Sequence, residues 1–166
     1  AFHDKAPMNG RLATAQDVLK TYQAFVAKSQ NAAGWTSVID KVEAPDNETF
    51  KITLKSPFSP FLVTHASSAE AMWFIPAETI DNDQVKSDPV GTGPWVFRQF
   101  ETSVAMRWDK HPKYHDGPQP YFERIEASLN NDPQRIIAGL VAGDFDWSHF
   151  DGTFFNDAKS KLSDKG

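Results

Sequence analysis

The chain has 166 residues, 40% hydrophobic and 23% charged, which is apolar enough for a folded domain and too balanced for wholesale disorder. A formal charge of −5 without any basic run argues against a nucleic-acid groove, and the absence of cysteine excludes disulfide scaffolds, thiolate metal sites and thiol nucleophiles. No apolar run approaches the roughly 20 residues of a membrane helix. The opening "AFHDKAP", without methionine, is read as the start of an excised piece, so a missing signal peptide says nothing of export.

In chain order, "LATAQDVLKTYQAFVAKS" predicts a helix. Thr14 caps it, Asp17 stands in its first turn, and Val18, Leu19, Tyr22, Phe25 and Val26 form one apolar stripe. Gly34 is the expected stop. "TSVIDKVEA", the turn "PDN" and "ETFKITLKS" predict a hairpin, because Phe50, Ile52 and Leu54 alternate with polar residues. Pro57 and Pro60 lead into a short helix around residues 61–65. "AMWFI" predicts a buried strand ended by Pro76, and residues 81–88 a surface loop. "WVFRQF" and "VAMRWD" form a second hairpin through "ETS", and "PYFERIEASL" a further strand. "NDPQRIIAGLVAGDFDW" is a helix with Asp132 at its cap, Pro133 at its first position and Gly143 at its end. The tail "DAKSKLSDKG" is expected to fray.

Catalytic equipment is sparse. "GTGPW" has the glycines of a phosphate loop, but Pro94 has no N–H, no Gly-Lys-Ser/Thr follows, and the next residues read as strand. The alternative is a tight turn needing unusual backbone angles at Gly91 or Gly93, with Pro94 stiffening the entry to the strand. His111 and His115 stand four apart beside Asp116. On a helix that spacing would suit a metal, whereas Pro112, Gly117 and Pro118 point to a loop and a solvated pair. His3, His65 and His149 are scattered, and Asp144 and Asp146 fit neither a calcium loop nor a glycosidase pair. No metal or cofactor is expected.

The ordered series "FHDKAP…LATAQDV", "VEAPDNETFKITLKSPFSPFL", "FIPAE", "PVGTGPWVF" and "KHPKYHDGPQPYFERIEASLNNDPQRIIAGLVAGDFDW" resembles the family 5 extracellular solute-binding proteins, receptors of peptide, dipeptide and nickel ABC importers. The likeness runs to about Trp147. It departs from the family pattern at Lys5, at "MNGRLA", at "ETS" and at His111, all in loops.

This resemblance implies an α+β (mixed α/β) fold, a fragment of a two-lobed periplasmic binding protein with an antiparallel or mixed sheet and flanking helices. Residues 1–92 would match the small domain inserted into the first lobe and residues 93–166 would return to that lobe, with the second lobe absent. "GTGP", with Gly91, Gly93 and Pro94, would be the corner between the two. The implied activity is non-catalytic capture of a solute, peptide favoured, periplasmic or lipid-anchored at the cell surface, with closure read by an ABC permease. Two loops resemble lining of the family's cleft: one around Trp35, the other from His65 through Ser67 and Ser68 to Trp73. Trp35 and Trp73 either line that pocket or fill the core. The resemblance leaves nickel complexes or oligosaccharides as other solutes. A secreted metal-dependent hydrolase using His111, His115 and Asp116 is the rival class. A fragment with open strand edges is also expected to pair with a second copy.

Overall fold

The computed structural model describes residues 1–66, 72–149 and 152–163. Two compact units divide the chain: Ala1–Arg98 with Trp108–Ile125, and Gln99–Arg107 with Glu126–Gly166.

The first unit is built on α1 (Ala15–Lys28). Its start is closed by reciprocal bonds: the Thr14 N–H donates to Asp17 Oδ2 at 2.9 Å, and the Asp17 N–H donates to Thr14 O at 3.0 Å. The chain leaves α1 at Ser29 and enters a second short helix, α2 (Ala32–Val38). Gly34 therefore does not end a helix; it lies inside one. A glycine costs a helix about 1 kcal/mol, and here the cost is offset by burial of its neighbour Trp35. That ring packs with Tyr22 and Ile39 in a core completed by Phe25, Val26, Phe50, Ile52 and Leu54.

The hairpin forms as expected. Strands β1 (Ile39–Glu43) and β2 (Lys51–Leu54) pair antiparallel with an irregularity between Ile39 and Lys41. Asp46 Oδ1 accepts from the Glu48 and Thr49 N–H groups at 2.8 and 2.7 Å, the side-chain bond that makes Asp a turn residue. Residues 2–11 form a loop closed by the Phe2 N–H on Arg11 O, and Phe2 and Met8 share a second core with Val90.

Strands β3 (Trp95–Glu101), β4 (Ala105–Lys110) and β5 (Arg124–Ser128) form one sheet in that order. The N–H groups of His111 and Val104 donate to Pro94 O and Glu101 O, and those of Lys110 and Leu129 to Glu123 O and Val104 O, so both pairings run antiparallel. Within the first unit Asp109 bridges Arg98 at 2.8 Å and Arg124 at 2.9 Å, and within the second Arg107 pairs with Glu126.

In the second unit α3 (Pro133–Ala142) starts with Asp132 Oδ1 accepting from Gln134 N–H at 3.0 Å. It ends at Gly143 in the left-handed region (φ +84°), as glycine allows. Phe145 then folds back onto Gly139, where an added Cβ would meet its ring at 2.5 Å. The tail does not simply fray: α4 (Gly152–Leu162) packs on α3. Lys161 reaches both Asp157 and Gln134 at about 3 Å, and Ala158 is buried, contacts that a polar composition does not announce.

Three further expectations need correction. The described residues of "AMWFI", 72–75, are not a strand. Neither Gly91 nor Gly93 has positive φ, and neither lacks room for a side chain. The corner is held instead by histidines bound to its carbonyls, so His111 is buried, not solvated.

Candidate functional site

Of the residues picked from sequence, Trp35 lies on α2, whereas His65 and Trp73 lie on a stretch of the first unit, residues 57–80, of which 57–66 and 72–80 are described. Residues 61–66 of it are helical: the Thr64 N–H donates to Pro60 O at 2.9 Å, and residues Leu62–Ala66 widen into a π-helical turn. Such a turn inserts a residue and re-aims side chains, and it recurs at functional sites. Here Phe61 packs toward the Trp35 core while Leu62 and Val63 face solvent.

His65 is drawn inward, 8% exposed. Its ring stacks on Phe61 (centroids 4.9 Å) and stands edge-on to Trp35 (5.0 Å) and Phe58 (6.1 Å). Its Nε2 lies 3.4 Å from Gly34 O, and its Nδ1 lies 2.6 Å from the Thr64 hydroxyl, which donates to Pro60 O at 3.0 Å. Trp35 is 6% exposed, its ring covered by Tyr22, Phe25 and His65. The structure thus brings Trp35 and His65 together as a packed aromatic group. Ser67 and Ser68 lie outside the described residues.

Trp73 is 79% exposed. Its neighbours explain why. Met72 packs into the Trp35 core and Phe74 packs against the Phe2 core, with ring centroids 5.6 Å apart. Two anchors one residue to either side leave the ring between them displayed to solvent.

Past Trp73 the stretch is tethered to α1. The Ile75 N–H donates to Thr21 Oγ1 at 3.2 Å, and the Ala77 N–H donates to Asp17 Oδ1 at 3.0 Å. Asp17, almost fully buried, also takes a bidentate pair from Arg11 (2.6 and 2.9 Å), and Arg11 reaches on to Glu78. Burial alone would push the Asp17 carboxyl up. The bonds from Arg11, then from the Ala77 and Thr14 N–H groups, outweigh it and bring the pKa down to about 2. Arg11, held by Asp17 and Glu78, is raised further above its ordinary value.

Sequence reasoning placed Asp17 only as a first-turn acid and missed this network. The signal was present in Arg11, six residues upstream and able to fold back. It also missed Phe58 and Phe61, which carry no local pattern beyond their prolines.

An open groove of about 300 Å³ lies along α1, lined by Lys20, Gln23, Lys28, Ala77, Ile80 and Asp81, and it contains none of the residues picked from sequence. His111 has its Nδ1 on Gly93 O, whereas His115 and Asp116 are exposed. Among the described residues no group of three His, Cys, Asp or Glu is gathered as metal ligands. Asp144 and Asp146 are exposed.

The fold is that of ABC-transporter substrate-binding proteins. It is similar to CtaP of Listeria monocytogenes, with a TM-score of 0.75 at 22% identity over 97% of this chain and 33% of that one. It is likewise similar to the oligopeptide-binding protein AppA of Bacillus subtilis, with a TM-score of 0.77 at 20% identity over 96% of this chain and 32% of that one. Residues 8–165 match the model of the bacterial extracellular solute-binding proteins, family 5, middle, and the chain belongs to that family. Its relatives include the glutathione-binding protein GsiB of Pectobacterium atrosepticum, 31% identical over 75% of this chain and 24% of that protein. Another is the di/tripeptide-binding protein 4 of Pseudomonas aeruginosa, 27% identical over 81% and 28%. The chain thus spans about a quarter of the length of the curated relatives it matches. No helix among the described residues is long and apolar enough to cross a membrane.

Proposed function

We propose that this chain is part of a receptor that captures a solute outside the cytoplasm for an ABC importer, with a peptide as the favoured solute. The observation that carries this reading is the family match over residues 8–165. The peptide preference is supported by relatives named for glutathione and for di- and tripeptides. On this reading residues 1–92 are the small domain inserted into the first lobe and residues 93–166 belong to that lobe. The protein binds and closes without catalysis, the closed form is read by a membrane permease, and the mature receptor is periplasmic or held at the surface by a lipid.

The solute-facing part is the stretch from His65 through Ser67 and Ser68 to Trp73. Trp73 is its contact residue, because an indole offers flat area at low entropic cost and this one is already presented to solvent. Trp35 and His65 serve the same site from behind, as the packed floor that fixes the stretch. A second solute class is favoured by one observation: NikZ of Campylobacter jejuni, solved with Ni(L-His), shares the fold at a TM-score of 0.74.

Calorimetric titration of the intact receptor containing this chain with di- and tripeptides, glutathione and Ni(L-His) tests the reading. Saturable binding of a peptide is expected. Binding of the nickel complex alone would replace the solute class, and hydrolysis of a peptide during titration would overturn the non-catalytic reading. The 166-residue chain by itself is expected to bind these solutes weakly or not at all.

A further inference from the structure

Three parts of the first unit, distant in sequence, meet at one carbonyl oxygen. His3 Nε2 lies 2.9 Å from Gly93 O, and His111 Nδ1 lies 3.2 Å from the same atom. The His3 N–H donates to Gly91 O at 2.9 Å, and the His111 N–H donates to Pro94 O at 2.8 Å. The two rings meet edge-on with centroids 4.9 Å apart and are 3% and 8% exposed.

A further bond makes His3 the sensitive member. The Gly91 N–H points at His3 Nδ1 from 3.3 Å. A carbonyl oxygen can only accept, so His3 Nε2 must carry a proton; a backbone N–H can only donate, so His3 Nδ1 must not. Together the two bonds specify a neutral ring in one tautomer. A second proton would set N–H against N–H in a site with little access for water, and would leave the Gly91 donor without its acceptor.

The surrounding charges offer no relief. From the loop of residues 2–11, Lys5 acts on the ring, and its own ammonium is engaged by Asp88, by Phe97 O and by the face of the Phe97 ring. Asp4, on the same loop, is exposed. From β3 comes Arg98, paired with Asp109 of β4, and from the end of β4 comes His111, with Tyr114 and then His115 beyond it. The groups that act on His3 through their charge are His111, Lys5 and Arg98, each a cation or able to become one.

We propose that His3 is a proton-operated latch: neutral, it clips the loop of residues 2–11 to the corner at residues 91–94, and protonated, it releases that loop and with it the cover over Phe2 and Met8. Burial holds the ring's affinity for a proton below the ordinary histidine value of 6.5, the Gly93 bond opposes this, and His111, Lys5 and Arg98 add to the lowering. With the folded-state value depressed, the latch's contribution to stability is complete above 6.5 and is lost as pH falls through the folded-state value. The latch would make the corner weaken in mild acid, in a unit without any other ring so constrained at both nitrogens by backbone groups among the described residues. It does not depend on which solute the receptor carries.

Nitrogen-15 NMR of the full chain from about pH 8 to about pH 4.5 tests the latch, with the exposed His115 and His149 as internal references. His3 is expected as the Nε2–H tautomer, with a midpoint below those of the two references. As it takes its proton, the protection of the Gly91 amide against exchange, corrected for the change of the intrinsic rate with pH, should fall about tenfold. His3→Gln, which does not titrate, should lack this acid step. A His3 that titrates with His115 and His149, an Nδ1–H tautomer, or a Gly91 amide indifferent to the transition would overturn the latch. The tautomer, midpoint and amide are all read in the wild-type chain, so the decision stands even if His3→Gln fails to fold.

Discussion

Asp17→Asn is the most informative single change, because one carboxylate both caps α1 and tethers the stretch that displays Trp73. Lowering of its pKa from 3.8 to about 2 corresponds to roughly 2 kcal/mol of stability that exists only while the group is ionised. The carboxylate is 2% exposed, so solvent screening removes little of this. Asparagine keeps one acceptor for the Thr14 and Ala77 N–H groups and loses the bidentate partner of Arg11. The expected loss in urea unfolding at neutral pH is therefore about 2–3 kcal/mol. The sign with pH is fixed: a depressed carboxyl gives stability above 3.8 that is lost as pH falls through about 2. The gap between wild type and variant should then narrow steadily below pH 3.8. A gap under about 0.5 kcal/mol at neutral pH, or one of constant size through the acid range, would refute the reasoning.

The two tryptophans should separate cleanly. Trp35→Ala, which empties a buried site, is expected to cost about 3–5 kcal/mol in chemical unfolding. Trp73→Ala should leave stability within about 0.5 kcal/mol while weakening solute binding in the intact receptor; unchanged affinity would remove Trp73 from the site. Gly139→Ala drives a Cβ to 2.5 Å from the Phe145 ring and should cost about 1–3 kcal/mol by thermal unfolding, whereas an unchanged midpoint would show that the ring moves aside freely. Strand β5 is an edge of its sheet, and Tyr121 and Phe122 beside it are largely exposed. Static light scattering at high concentration is expected to show self-association of the 166-residue chain, and a clean monomer would refute that expectation.

Where structure is decided by neighbours in sequence, the sequence was legible. Thr14 with Asp17, Asp132 with Pro133 and Gly143, and the alternation through Phe50, Ile52 and Leu54 each carry a local physical signal, and each element formed where that signal placed it. What failed was set by distant partners. Gly34 reads as a stop until Trp35 is seen to need burial against Tyr22, 13 residues earlier on α1 and no part of a local pattern. Residues 71–75 read as a buried strand because four of them are large and apolar, yet Met72 and Phe74 pack into different cores and Trp73 is exposed. The glycines of the corner suggested special backbone angles, whereas His3 and His111, 88 and 18 residues away from their partners Gly91 and Gly93, hold it by their side chains. Of the candidate site, the division between displayed Trp73 and packed Trp35 and His65 was not legible, since exposure belongs to the fold.

Equilibrium dialysis of a radiolabelled tripeptide against the intact receptor containing this chain, wild type beside Trp73→Ala, is the most direct test of solute capture through this stretch. The expected result is saturable uptake by the wild type, unaltered peptide recovered after release, and roughly tenfold weaker uptake by the variant, as about 1.4 kcal/mol of aromatic contact would give. Equal uptake by both, or recovery of a cleaved peptide, would contradict it.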